Sequence, residues 1–309
     1  MAPVHTQSLN VWCLLDGRAG HQNQVLGLAE ALQRQSTASV AHVPIKRWFR
    51  GLRAIAPDTS RLLREHGTPD LVIGAGHRSH LPLLTTTRLI GGQSVLLMRP
   101  TVPLQFFDHC LVSDTDYRVK DDERVIFTRG VLNRIQPADN RLTARGLLLV
   151  GGRSKHFEWS DGQVFEQVRT IVDRMPEVNW TLATSRRTSS QFLDQCRNAS
   201  LDAEVVTPGD VDSGWLPSTI GQMEYTWVTQ DSVSMTFEAL TAGCKVGVIE
   251  LPPRKGSRLA DRARRLAESG DVTRWSDWNQ SGVLTLPQAE YREADRCAEI
   301  ILGRLNSTG

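Results

Sequence analysis

The chain has 309 residues, 40% hydrophobic, 23% charged and 6% aromatic, a profile that excludes a disordered chain. A formal net charge of +2, from 36 Lys and Arg against 34 Asp and Glu, excludes a polycation that coats nucleic acid. Cys13, Cys110, Cys196, Cys244 and Cys297 are dispersed with no CxxC pair, which excludes a disulfide framework or a structural zinc module.

At about 100–200 residues per domain, the length points to two domains. The start, MAPVHTQSLN, has neither a charged nor an apolar leader segment. The apolar runs stop at about five residues, where a bilayer span needs roughly 20. The expected location is the cytoplasm. Only five of the basic residues are lysine, so any anion pocket is expected to rely on the forked guanidinium of arginine.

In chain order, residues 11–15 (VWCLL) read as a strand, followed by the turn DGRAGHQNQ and a helix whose Val25, Leu28, Ala29 and Leu32 share one face. Further strands are predicted at 39–43, 70–74, 94–98, 110–113 and 124–127, with a helix over 81–89. Residues 134–145 (RIQPADNRLTAR) lack apolar periodicity and read as a linker. A second series follows: strands at 146–150, 180–184, 204–207, 225–229 and 246–250, a helix over 162–174, and a final helix over 287–305. Apolar strands alternating with helices predict α/β architecture, with two doubly wound parallel sheets facing a cleft. The expected division is 1–140 for the acceptor side and 141–309 for the nucleotide-sugar side, the last helix crossing back. Ligands in such sheets bind beyond the carboxyl ends of the strands.

The turns at those ends carry the candidate chemistry. In the first, Gly17 and Gly20 allow close backbone approach, and His21 opens the helix as a base or donor beside Asp16, with Gln22 and Asn23 behind it. The turn Gly74-Ala75-Gly76-His77-Arg78 repeats this recipe, and Arg99 follows the fourth strand. Neither turn completes GxGxxG, since position 79 is serine, so a dinucleotide cofactor is disfavoured. In the second series Gly151-Gly152-Arg153-Ser154 and Thr184-Ser185-Arg186 suit a phosphate. Gln230-Asp231-Ser232 leads into a helix whose first turn holds Ser234 and Met235, with Glu238 further along. Asp231 or Ser232 as a plain helix cap, and Glu238 as a solvated side chain, is the alternative reading there.

The segment TQDSVSMTFEALTAGCKVGVIEL resembles the donor-nucleotide region of GT-B glycosyltransferases. DGRAGHQNQVLGLAEAL resembles their N-terminal glycine-rich loop, as in the lipid II-forming N-acetylglucosaminyltransferase group. In order and spacing, DGRAGHQNQ, GAGHRSH, GGRS and QDSVSM are similar to the Elm family of mitochondrial fission proteins over nearly the whole chain. The resemblance implies GT-B architecture and transfer of a sugar from a nucleotide-sugar to a glycan or lipid-linked hydroxyl. It implies Glu238 on the ribose and Gly151, Gly152, Arg153, Ser154, Arg186, Ser232, Ser234 and Met235 around the diphosphate. It further implies His21 or Asp16 as base, Gly20, Gln22, Asn23, Gly76, His77, Arg78 and Arg99 on the acceptor side, and neither cofactor nor metal. Asp114-Thr115-Asp116 is a literal DxD, read here as a turn.

Two basic segments suggest an anionic membrane surface as a partner: KRWFRGLR at 46–53, which interleaves Trp48 and Phe49 with arginines, and Arg254 to Arg265. A nucleotide-sugar epimerase of the same shape and a non-catalytic membrane-associated factor are the competing readings. The Arg- and His-rich turns, short of carboxylates, favour the transferase.

Overall fold

Five- or six-residue strands that are apolar on both faces must be covered on both faces, and that requirement sets the architecture. The computed structural model describes residues 5–45, 55–113, 122–138 and 140–308. It divides into two compact units, Met1–Arg134 with Arg292–Gly309, and Ile135–Tyr291.

The first unit is built on a six-stranded sheet of β1 (His5–Leu15), β2 (Ser36–Pro44), β3 (Leu71–Ala75), β4 (Gln93–Leu97), β5 (His109–Ser113) and β6 (Val125–Thr128). Every pairing is parallel, in the order β2-β1-β3-β4-β5-β6. The chain leaves β1 toward β2 and returns to β3 on the other side, so the topology switches between β1 and β3. Helices α1 (Ala19–Gln35), α2 (Ile55–His66) and α3 (His80–Leu89) belong to this unit.

The second unit repeats the design with β7 (Arg145–Val150), β8 (Asn179–Thr184), β9 (Ala203–Val206), β10 (Tyr225–Thr229), β11 (Lys245–Ile249) and the two-residue β12 (Thr273–Arg274). Its order is β12-β11-β10-β7-β8-β9, again wholly parallel, with the switch between β7 and β10. Helices α4 (Asp161–Arg174), α5 (Ser190–Asn198), α6 (Trp215–Ile220), α7 (Val233–Ala242), α8 (Arg258–Glu268) and α9 (Trp275–Ser281) belong to it. The helix expected behind the strand at 204–207 is the short α6, while α9 and β12 carry too few apolar repeats to show in the sequence.

The C-terminal helix α10 (Glu293–Thr308) is part of the first unit. Its Ala294, Cys297, Ala298, Ile301 and Leu302 are buried in one core with Val25, Leu28, Ala29 and Leu32 of α1. The helix starts six residues later than the periodicity suggests. Asp271 accepts hydrogen bonds from the Ala289 amide and the Tyr291 hydroxyl, and the Tyr291 carbonyl accepts one from Thr241. Those bonds hold residues 289–291 to the second unit as irregular chain. The unit boundary falls at Ile135, a fully buried side chain inside the segment read as a linker.

Candidate active site

The carboxyl end of β1 is organised by Asp16, whose side chain is only 3% exposed. Its Oδ1 accepts the Arg18 amide at 3.0 Å, and its Oδ2 lies 2.8 Å from His21 Nδ1. Gly17, at φ 81°, makes the left-handed bend that closes this turn. The helix α1 starts at Ala19, so Gly20, His21, Gln22 and Asn23 fill its first turn. A carboxylate only accepts, so Nδ1 carries the imidazole proton and the Nε2 lone pair is left to act as a base.

At the end of β3, Gly76 (φ 73°) leads into a 3-10 turn, His77–Ser79. A Cβ on Gly76 would lie 2.6 Å from His21 Cε1. The turns on either side of the topological switch therefore touch, and the His21 ring rests on the bare backbone of Gly76. His77, Arg78 and Arg99 are exposed, Arg99 just after Met98, whose φ is 76°. His80 is buried, its Nδ1 is 3.1 Å from Thr101 Oγ1, and burial holds its pKa below the ordinary histidine value, assisted by His77.

In the second unit, the turns after β7 and β10 are again joined across the switch. The Gly151 amide donates to Thr229 Oγ1 at 2.7 Å, and the Gly152 amide to Asp231 Oδ2 at 3.2 Å. A third turn, after β8, completes the cluster: Arg187 Nη1 reaches Asp231 Oδ2 at 2.7 Å, the Gly152 carbonyl at 3.2 Å and the Arg153 carbonyl at 3.4 Å. Arg187 is the arginine built into this cluster, beside the Arg186 expected on the donor phosphate. Arg186 is exposed and has no hydrogen bond to the described residues. Nothing in an Arg-Arg dipeptide says which guanidinium turns inward.

The two glycines also have a more local reason than anion binding. A Cβ on Gly151 would stand 2.4 Å from an Asp231 carboxylate oxygen, and one on Gly152 would stand 2.1 Å from the Arg187 carbonyl oxygen. Ser154 uses its hydroxyl to accept the His156 and Phe157 amides, bracing its own loop. The Arg153 side chain is exposed.

Ser232 is the N-cap residue of α7, yet its hydroxyl makes no capping bond. The first-turn amides around Val233, Ser234 and Met235 therefore keep free donors at the positive end of the helix. Asp231, the other capping candidate, is taken up by Arg187 and Gly152. Glu238 is buried at 8% exposure, not a solvated side chain.

The basic segment 254–265 is not a uniform cationic face. Arg262 is buried with its guanidinium 6.0 Å from the Phe237 ring centroid, and Arg264 pairs with Asp261 and Glu268. KRWFRGLR (46–53) and Asp114-Thr115-Asp116 lie outside the described residues. Among the described residues, no cluster of three or more His, Cys, Asp or Glu is placed to hold a metal ion, and no helix is long and apolar enough to cross a membrane.

The family model for mitochondrial fission ELM1 matches residues 19–305. The chain belongs to this family. No curated protein matches the ELM1-family chain. Solved structures resemble it at low identity. UDP-GlcNAc 2-epimerase from Methanocaldococcus jannaschii shares 10% identity at a TM-score of 0.57, covering 98% of this chain and 100% of that one. The UDP-GlcNAc-bound 2-epimerase from Neisseria meningitidis shares 11% at 0.54, covering 97% and 100%. MurG from Acinetobacter baumannii shares 15% at 0.53, covering 96% and 99%. At these identities the likeness is one of fold, the GT-B fold of glycosyltransferases and nucleotide-sugar epimerases.

Proposed function

We propose that this ELM1-family chain is a GT-B glycosyltransferase that moves a sugar from a nucleotide-sugar to an acceptor hydroxyl. The observation that carries the reading is the division of chemistry between the two switch points. One holds an imidazole oriented by a buried carboxylate; the other holds an uncapped helix N-terminus beside a fixed arginine. Solved neighbours of the same fold, one in complex with UDP and one bound to UDP-GlcNAc, support a nucleotide-sugar as the ligand class.

In this reading α7 binds the donor diphosphate through the amides of Ser234 and Met235 and the hydroxyl of Ser232. Gly151, Gly152, Arg153 and Ser154 shape the turn beside it, and Glu238 takes the ribose hydroxyls. The bond from the anomeric carbon to the diphosphate breaks, and the bond from that carbon to the acceptor oxygen forms. The acceptor proton goes to His21 Nε2, and Asp16 stabilises the imidazolium. Gly20, Gln22, Asn23, His77, Arg78 and Arg99 line the acceptor side, where a glycan or lipid-linked hydroxyl is bound. Charge grows on the departing diphosphate, so preset donors lower the barrier, each worth about 10²–10³ in rate. No cofactor or metal enters this reading. The five buried free thiols suit a reducing compartment, and the proposed location is the cytoplasm, at a membrane face.

The test is a thermal-shift panel with UDP, GDP, ADP, CDP and CMP, with and without EDTA. A nucleotide at 100 times its dissociation constant should add about 2.7 kcal/mol of stability. One base should stand out, and Glu238→Ala should abolish its shift. No shift with any nucleotide sinks the donor assignment. Turnover of the matching nucleotide-sugar without an acceptor, with its sugar epimerised, favours the epimerase over the transferase.

A further inference from the structure

Half of the large apolar side chains that stand exposed among the described residues fall within one short stretch of the first unit: Leu81, Leu89, Met98, Val102 and Phe106. Leu81 and Leu89 are the most open of them, at 64% and 66% exposure. The same stretch is unusual in charge. Residues 71–107 contain no Asp or Glu, although the chain has 34 of them. Its arginines, Arg78, Arg88 and Arg99, are all exposed.

The geometry gathers these side chains onto one face. On α3, positions 81, 85, 88 and 89 fall on one arc of the helix, while Pro82, Leu83 and Thr86 are buried beneath. The loop after β4 is tied to both ends of that helix. His80 Nδ1 is 3.1 Å from Thr101 Oγ1 at the helix start, and the Arg88 guanidinium sits 5.5 Å from the Phe106 ring centroid near its end. Val102 and Phe106 therefore lie alongside Leu81 and Leu89.

We infer that this α3 face, with the loop after β4, is a docking surface for an anionic phospholipid bilayer. Apolar side chains of this size sink into the boundary between headgroups and acyl chains, and the arginines pair with lipid phosphates in their fork geometry. The absence of carboxylates decides the occupant. A stretch whose charged side chains are all cations, bounded by Asp70 and Asp108, is complementary to a sheet of phosphates, and a second copy of itself would oppose like charges. The surface starts beside the 3-10 turn that backs His21. If the transferase reading holds, docking here brings lipid-borne hydroxyls to the first switch point; the docking itself does not depend on that reading.

The experiment is co-sedimentation of the full chain with vesicles of phosphatidylcholine alone and of phosphatidylcholine with phosphatidylglycerol. Binding is expected only with phosphatidylglycerol and should weaken as salt is raised. Leu81→Ser with Phe106→Ser, and Arg88→Glu separately, should each lower the partition coefficient about ten-fold. Arg264→Glu, on the paired face of α8, should leave it within about two-fold. The altered side chains are exposed, so each variant should melt as the parent does. The inference is overturned if the chain ignores both vesicle types, binds both equally, or binds unchanged in both sets of variants. It is also overturned if the parent elutes as a dimer that Leu81→Ser with Phe106→Ser converts to monomer, since a second copy then covers the face. Nucleotide binding is read separately by thermal shift, so failure of the donor site and failure of docking are told apart.

Discussion

Arg187 Nη1 lies 2.7 Å from Asp231 Oδ2, and that carboxylate oxygen also takes the Gly152 amide. Three turns, after β7, β8 and β10, are fastened by one buried anion, whose side chain is fully hidden from solvent. Arg187 itself is 44% exposed, with its Nη1 fixed on the buried carboxylate. It is a cation held in place beside the free donors of α7.

Removing the anion should loosen all three turns at once. Asp231→Ala is expected to lower nucleotide affinity about 10–100-fold, since each charge-assisted bond is worth roughly 1.5–3 kcal/mol. Arg187→Ala leaves Asp231 buried without its cation and should cost about 1–3 kcal/mol of stability. Isothermal titration and urea melts read the two effects. Affinity unchanged in Asp231→Ala would show that the cluster serves the fold alone.

Gly152→Ala attacks the same cluster sterically. Its Cβ would meet the Arg187 carbonyl oxygen at 2.1 Å, a backbone atom that cannot swing aside. A loss of about 1–3 kcal/mol is expected from the overpacking, measured by thermal or urea unfolding. Gly162→Ala, with nothing within 4 Å of its Cβ, is the matched control.

At the first switch point, His21→Ala should cut the transfer rate about 10²–10⁴-fold while leaving nucleotide affinity within two-fold. Asp16→Asn keeps the shape but can offer a donor where Nδ1–H needs an acceptor, so its loss should approach that of His21→Ala. Added imidazole should restore part of the rate lost in His21→Ala. A transfer rate unchanged in His21→Ala would remove the base assignment.

His109 supplies a test of pH and stability. It is buried between Gln93 Oε1 at 2.8 Å and Arg304 Nη1 at 3.2 Å. Burial first, then the Arg304 charge, pushes its pKa from 6.5 down to about 4. Between those values the unfolded chain binds a proton that the folded chain refuses. The contribution is whole above about pH 6.5 and is lost as pH falls toward 4, at up to about 1.4 kcal/mol per pH unit. Urea melts between pH 4.5 and 7 should show a shallower pH slope in His109→Asn than in the parent. Equal slopes would mean another group controls the acid limb.

Docking of α10 predicts that Ile301→Ala costs about 2–5 kcal/mol, because its side chain is fully buried against α1. Glu299→Ala, exposed on the same helix, should change stability by less than about 0.5 kcal/mol. The pair of melts separates packing from helix propensity.

By itself the sequence determined every strand but the two-residue β12, the parallel sheets and the turns that carry the candidate chemistry. The reason is local: an apolar run such as residues 146–150 needs cover on both faces wherever it lies, and a polar glycine turn behind it is visible in the same window. The tertiary structure decided which turns are neighbours. Gly76 reaches His21 only because β3 pairs with β1, and Asp231 reaches Gly152 only because β10 pairs with β7. It also tied Arg187 to Asp231, made Gly151 and Gly152 answer to a carboxylate and a carbonyl, and gave α10 to the first unit. Each of these contacts joins residues far apart in the chain, and pairing at that distance leaves no periodicity to read.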